Sequence, residues 1–211
     1  TNAIKALRAN LYKYDQKYGW REEQVFKDFN FLIMRSAYQK EYFYKFPSKL
    51  RYERIKEENF NKVQNLLGNR ATIDNHEPNI VIGIDSKKIQ TLDAKLNFNN
   101  IYWENGDYSW ARVTNSDGTR SPRPASFRDF LELGSLVYIG EENGKKILSQ
   151  MPIAEASLVA VDALEAELKA YVGGFDFSKS KFDRAANSKL LPGSSIKPFI
   201  YACAFENGLN P

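Results

Sequence analysis

The sequence predicts an α+β chain of three successive parts: a helical first third, a small all-β unit, and a mixed strand and helix segment. Three observations carry that expectation. Apolar residues recur every three or four positions up to about residue 67, whereas residues 79–151 hold short β-type runs broken by turn residues. Beyond Ala154, two further strand-like runs and a Gly-Gly pair lead to Pro192-Gly193 and an apolar stretch with helical spacing.

At 211 residues the chain exceeds one typical domain and is short for two large ones, so two compact units, or one unit with fragments of others, are expected. Apolar residues at 43% and aromatics at 14% can build a core. No run approaches the ~20 consecutive apolar residues of a membrane helix. Thr1-Asn2-Ala3-Ile4-Lys5 lacks a signal peptide's apolar centre, so any targeting segment or membrane anchor is expected outside this stretch.

Cys203 is the only cysteine and His76 the only histidine, which removes an intrachain disulfide and a His/Cys metal cage; no metal and no cofactor are expected. A Ser-His-Asp triad would have to recruit His76, which lies in the polar run Asp74-Asn75-His76-Glu77-Pro78 and reads as an exposed loop residue. The net charge of +4 is uneven. Residues 1–78 carry 15 Lys/Arg against 10 Asp/Glu, residues 79–150 carry 9 against 9, and residues 151–211 carry 6 against 7. The basic excess is interleaved with acids at helical spacing, which fits a solvated helix face better than a phosphate-binding surface.

In order, residues 3–18 read as a helix through Ala3, Leu7, Leu11, Tyr14 and Tyr18, stopped by Gly19. An aromatic-rich helical pattern runs from about Glu22 to Phe46-Pro47, where the proline disfavours further helix, and a third from about Lys49 to Leu67, closed by Gly68-Asn69. Strand readings then follow at 80–84, 88–92, 101–103, 110–113, 136–139 and 146–149, with a short helix at 126–133. Asn143-Gly144 between two of these runs is a hairpin signal. Five or six short strands in so few residues suggest a small Greek-key barrel of the OB type. Such barrels often stack single-stranded nucleic acid on aromatics, and Tyr102, Trp103, Tyr108, Trp110 and several arginines are of suitable type. The segment's zero formal charge argues against a polyanion, and no nucleic acid is expected.

From Ala154 the runs 156–161 and 168–172 read as strands, Gly173-Gly174 as a turn, and 175–189 as a polar loop delivering the chain to Leu191-Pro192-Gly193-Ser194-Ser195-Ile196-Lys197-Pro198-Phe199. If 194–206 is helical, Ser194 and Lys197 share a face, and a neutral lysine amine could take the hydroxyl proton. Burial and a nearby cation favour that neutral form. Alone, Ser-x-x-Lys is common and more often a helix start with a capping serine and a solvated lysine. Ser195, two positions from Lys197, faces away from it, and Cys203 reads as a small buried apolar residue.

Two stretches carry a resemblance: Val172-Gly173-Gly174-Phe175-Asp176 through Phe182-Asp183-Arg184-Ala185, and Pro192-Gly193-Ser194-Ser195-Ile196-Lys197-Pro198-Phe199-Ile200-Tyr201. Together they resemble the start of the transpeptidase domain of class A penicillin-binding proteins, whose serine signature is Ser-x-x-Lys. Ala6-Leu7-Arg8, Tyr14-Asp15 and Gly19-Trp20-Arg21 are similar to the segment joining glycosyltransferase and transpeptidase domains, and 79–151 resembles the OB-like domain inserted in the 1a type. The chain departs from the family at Asp183, where Asn is frequent, and near Leu190, where a basic residue is frequent.

The resemblance implies a division into 1–78, linker and helical part of the transpeptidase region; 79–151, OB-like domain; and 152–211, the start of a serine β-lactamase-like transpeptidase domain. It implies Ser194 as acyl-ester nucleophile, Lys197 as general base and the Ser194 backbone N–H as an oxyanion donor. The implied substrates are peptidoglycan stem peptides ending in D-Ala-D-Ala, with β-lactam antibiotics as mimics. The implied location is the bacterial inner membrane, facing the periplasm. The remaining active-site motifs, Ser-x-Asn and Lys-Thr/Ser-Gly, are expected after Pro211, and a glycosyltransferase domain before Thr1. The competing expectation is a non-catalytic barrel that docks a cell-envelope protein.

Overall fold

The structure, a computed structural model, describes residues 2–21, 24–26 and 62–210. Most of the two helical patterns expected over 22–46 and 49–67 lies outside the described residues. At their edges, 62–67 is helical, but 24–26 is extended. Val25 bridges Ser135, the Phe26 N–H donates to Gly134 O, and Gln24 O accepts from the Leu136 N–H. The aromatic periodicity starting at Glu22 therefore does not make these three residues helical, because the open edge beside Gly134-Ser135-Leu136 supplies their hydrogen bonds instead.

Helix α1 (Asn2–Gln16) has a single apolar stripe, with Leu7 and Leu11 buried, and closes at Gly19, whose φ of +85° is left-handed. The barrel is an antiparallel sheet of β1 (Glu77–Ile84), β2 (Lys88–Asp93), β3 (Phe98–Tyr102), β4 (Leu136–Glu142) and β5 (Lys145–Ser149), in the order β3-β2-β1-β4-β5. A register shift between Val81 and Gly83 bends β1, as a bulge does. The curled sheet brings its edges together. Asn105 donates from Nδ2 to Lys146 O at 3.1 Å, and the Lys146 ammonium bonds to Asn99. The β4–β5 turn is Asn143-Gly144, with φ of 52° and 73°, both positive as a two-residue turn of this hand requires.

Alternation along β1 splits its side chains between two cores. Val81 enters the barrel with Ile89, Ile101, Val137, Ile139, Leu148, Phe127 and Trp20, whereas Ile80 and Ile82 pack outside against Val63 and Leu67 of the helical segment. Burial on both faces explains why β1 reads as a continuous apolar run. Residues 110–113 are not a strand: the Ala111 N–H returns to Tyr108 O and Arg112 N–H to Trp110 O, which turns Trp110 toward Trp20. The helix expected at 126–133 shrinks to a 3₁₀ turn at Phe127–Asp129, where Ser126 and Asp129 form a reciprocal cap. Tyr108 and Phe127 are buried, and Trp103 lies edge-on to Phe127 at 4.9 Å, so these rings are spent on packing.

The polypeptide leaves the barrel through a third cluster, in which Leu7 and Leu11 meet Ile73, Tyr138, Met151 and Phe175. A two-stranded hairpin follows, β6 (Leu158–Val161) and β7 (Leu168–Val172), then the short helix α2 (Arg184–Asn187) and, after a 3₁₀ turn at Gly193–Ile196, helix α3 (Lys197–Glu206). No helix among the described residues is long and apolar enough to cross a membrane.

Candidate active site and its supports

Asp15 is the joint between α1 and the barrel exit. Its buried carboxylate accepts from Arg21 Nη2 at 2.6 Å, from Gln150 Nε2 at 2.8 Å and from the Ile153 N–H at 3.2 Å. Earlier on the same helix, Arg8 donates from Nε to Phe175 O at 2.8 Å, from Nη2 to Asp176 at 2.6 Å, and pairs with Asp74. The Arg8 guanidinium stands 5.5 Å and the Lys179 ammonium 5.1 Å from the centroid of the Phe175 ring. Burial opposes ionisation of Asp176, but hydrogen bonds from Ser178 and the Arg8 cation hold its carboxyl below the usual range.

The loop leaving β7 is pinned where it starts and where it ends. Arg184 N–H donates to Gly173 O at 2.8 Å, and Tyr171 donates its hydroxyl to Asp183 at 2.6 Å. The other oxygen of Asp183 caps α2 by accepting from the Ala185 and Ala186 N–H groups. The Tyr171 hydroxyl, followed by those backbone donors, keeps the Asp183 carboxyl low. A Cβ on Gly173 would stand 2.6 Å from Asp183 Oδ1, so this approach requires glycine. Glu155 completes the closure. It accepts from the Phe175 N–H at 3.1 Å and pairs with Lys179 and Arg184, each at 3.5 Å.

Ser194 lies in the 3₁₀ turn and Lys197 opens α3, with the Lys197 N–H bonded to Ser194 O. The expected α-helical start at 194 is therefore tighter. Gly193, at φ +53°, enters the turn, and in 3₁₀ geometry side chains three apart eclipse. Both are exposed, and among the described residues neither side chain has a hydrogen-bond partner. Among the described residues, helix α3 leaves Phe199, Ile200, Tyr201 and Phe205 exposed. Cys203 is exposed as well, contrary to the buried position expected, because α3 has no packing layer around it among the described residues.

His76 departs from expectation in the other direction. It is half-buried, stacked on Tyr12 at 4.3 Å, with Nδ1 buried and, among the described residues, without a hydrogen-bond partner. Burial lowers its pKa, and burial raises that of Tyr12. The imidazole belongs to the α1–barrel junction, among Ile73, Asp74 and Gly140, and is not a partner for Ser194. No cluster of metal-ligating residues occurs among the described residues.

Residues 48–154 match the family described as Penicillin-binding protein OB-like domain. The chain belongs to this family. It is 27% identical to Penicillin-binding protein 1A of Pseudomonas aeruginosa over 207 residues, covering 98% of this chain and 22% of that protein. With Penicillin-binding protein 1A of Vibrio cholerae it shares 35% identity over 149 residues, 68% of this chain and 18% of that protein. The crystal structure of Penicillin-Binding Protein 1A from Haemophilus influenzae superposes with a TM-score of 0.69 at 27% identity, covering 99% of this chain and 25% of that one. The chain thus spans a quarter or less of the length of these relatives. It is a segment of the class A, 1a type, and the curled five-stranded sheet is its OB-like domain.

In a penicillin-binding protein segment of this kind, residues far apart in sequence serve one joint. The sequence singled out Ser194 and Lys197, brought in Arg8 and Asp183 only within the resemblance and without a role, and left Glu155 unmarked. Asp183 carried a signal, a capping residue before Arg-Ala-Ala; Glu155 carried none beyond its charge.

Proposed function

We propose that this segment belongs to a peptidoglycan cross-linking D,D-transpeptidase of the bacterial cell wall, acylated on Ser194 and inhibited by β-lactams. In this reading 79–151 is the OB-like module and 152–211 opens the transpeptidase domain. The observation that carries it is the Pro192-Gly193 turn that sets Ser194 one 3₁₀ turn ahead of Lys197, both side chains open, at the head of an apolar helix. The penicillin-binding relatives aligned through the whole segment support it.

Ser194 Oγ attacks the carbonyl of the penultimate D-alanine while the Lys197 amine takes the hydroxyl proton. The Ser194 N–H donates to the oxyanion, the C–N bond breaks, and D-alanine leaves with a proton. An amine of a neighbouring strand, or water in the carboxypeptidase variant, then releases the acyl group and restores Ser194. The full-length protein would carry a glycosyltransferase as well and sit in the inner membrane, facing the periplasm. Labelled penicillin on the full-length protein tests this: wild type takes up label at Ser194 and Ser194→Ala takes up none. Label on another residue, or persisting in Ser194→Ala, refutes the assignment.

A second reading treats the barrel as a docking module for a cell-envelope protein. It is favoured by the barrel's own interior core, built without any residue of 152–211. Failure of the full-length protein to retain any envelope protein that loss of the barrel releases would leave it a spacer.

A further inference from the structure

His76, the only histidine in the sequence, sits where α1 meets the barrel. Its imidazole stacks on Tyr12 of α1, with centroids 4.3 Å apart and planes 21° from parallel. One edge of the ring lies against β4, where a Cβ on Gly140 would stand 2.9 Å from both Nε2 and Cδ2. The ring is carried on the Ile73–His76 turn, which is closed by the His76 N–H donating to Ile73 O at 3.0 Å and the Ile73 N–H to His76 O at 3.2 Å. Nδ1 is buried and, among the described residues, has no hydrogen-bond partner.

A neutral imidazole can occupy that site with its proton on Nε2. An imidazolium cannot do so cheaply. Both of its nitrogens carry hydrogens, so protonation would create a charged donor at buried Nδ1 with no acceptor, a costly state for a polar group withdrawn from water. Burial accordingly lowers the His76 pKa, although the Asp74 charge pulls it the other way. The titratable and charged groups on the elements around the ring are Asp74 on its own turn, Glu77 on β1, Arg8 and Tyr12 on α1, Tyr138 and Glu141 on β4, and Asp176 after β7. Among them it is Asp74 that favours the imidazolium, and its carboxylate is already paired with Arg8. Stacking on Tyr12 also favours the cation, but it offers Nδ1 no acceptor.

We propose that the Ile73–His76 turn is an acid-released clamp on α1: taking up a proton drives the His76 ring off Tyr12 and toward Asp74, which then leaves Arg8. The release is confined to the middle of the helix. Trp20 stays bonded to Arg112 O and packed in the barrel core, and Asp15 keeps Arg21, Gln150 and the Ile153 N–H. Arg8 keeps Phe175 O and Asp176. Helix α1 therefore stays joined to the loop after β7, while the barrel's hold on the middle of the helix weakens.

Hydrogen exchange of the full-length protein, read by mass spectrometry and corrected for the intrinsic effect of pH on exchange, tests this between about pH 7.5 and about pH 5.5, a window that brackets the ordinary histidine value. Opening of residues 72–77, which contain both amides of the turn, should increase roughly threefold to tenfold across the window, since uptake of one proton allows at most about tenfold per pH unit. Trp20 and strands β2 and β3 should show no such increase. His76→Phe keeps a stacked ring that takes no proton, so the increase should vanish; His76→Gln, equally unable to titrate, serves if the Phe variant does not fold and should be flat as well. Asp74→Asn, with a residue type suited to the left-handed φ of 54° at this position, should move the onset to lower pH. No increase in wild type, an equal increase in His76→Phe or His76→Gln, or a matching increase at Trp20 or in β2 and β3 overturns the proposal, as does an onset that Asp74→Asn leaves in place.

Discussion

Removing the Asp15 carboxylate is the sharpest test of how α1 is held to the barrel. Its side chain is 3% exposed and serves three donors, nearby Arg21 and, from a distant stretch of chain, Gln150 and the Ile153 N–H. Asp15→Ala leaves all three without this acceptor. A hydrogen bond to a charged group is worth about 1.5–3 kcal/mol, and orphaning a buried ion-pair partner costs about 3–5 kcal/mol. The Arg21 side chain is 29% exposed, so water recovers part of its share. The net loss is then about 3–4 kcal/mol, near the lower end of the buried-pair range. At about 2–4 °C per kcal/mol for a chain of this size, Tm should fall by roughly 6–16 °C. Thermal unfolding followed by circular dichroism measures it. Asp15→Asn, which keeps an acceptor and loses the charge, should lose about half as much. A fall of less than about 2 °C in Asp15→Ala would refute the reasoning, because the joint would then contribute no more than an ordinary surface pair.

Three further outcomes are expected. Gly19→Ala should be strongly destabilising, by about 2 kcal/mol or more in urea unfolding, since φ is +85° and its Cβ would stand 2.2 Å from Arg112 O, the carbonyl that pairs with the Trp20 N–H. Phe175→Ala should cost about 3–5 kcal/mol by the same measurement, because a fully buried ring that two cations approach is lost. Stability should also fall with acid through His76: burial lowers its folded pKa, so the unfolded chain binds the proton first. That contribution is complete above the unfolded value of about 6.5 and is lost as pH drops below it, with a slope of at most about 1.4 kcal/mol per pH unit. His76→Phe should flatten this limb in urea titrations between neutral and mildly acid pH, and an unchanged slope would remove His76 from the account.

The strands were legible where the local pattern and the tertiary outcome agreed. Both faces of β1 are buried and it reads as an unbroken apolar run, while Asn143-Gly144 names its own hairpin. Reading failed at Trp110 to Val113, whose β-rich composition served a turn that aims one indole at another. It failed again at Val25, where an open strand edge outweighed a helical period. Of the candidate site, the local spacing was legible and the long-range contacts were not. Ser194 and Lys197 are three positions apart, a spacing that any helical turn converts into proximity. Arg8 and Asp176 are separated by 168 positions, and Glu155 meets Phe175 and Arg184 only after the hairpin has folded back.

The amino-acid sequence by itself determined the mixed helix and sheet class, the strands and turns of the barrel, and the three-residue spacing of Ser194 and Lys197. Those are matters of composition, period and short spacing, all written along the chain. Tertiary structure alone decided that α1 binds the barrel through Asp15 and the loop before α2 through Arg8, that His76 lies half-buried against Tyr12, and that Glu155 closes the loop leading to Ser194. Each of these depends on charges and rings brought together from distant positions, where burial, more than residue type, sets what an interaction is worth.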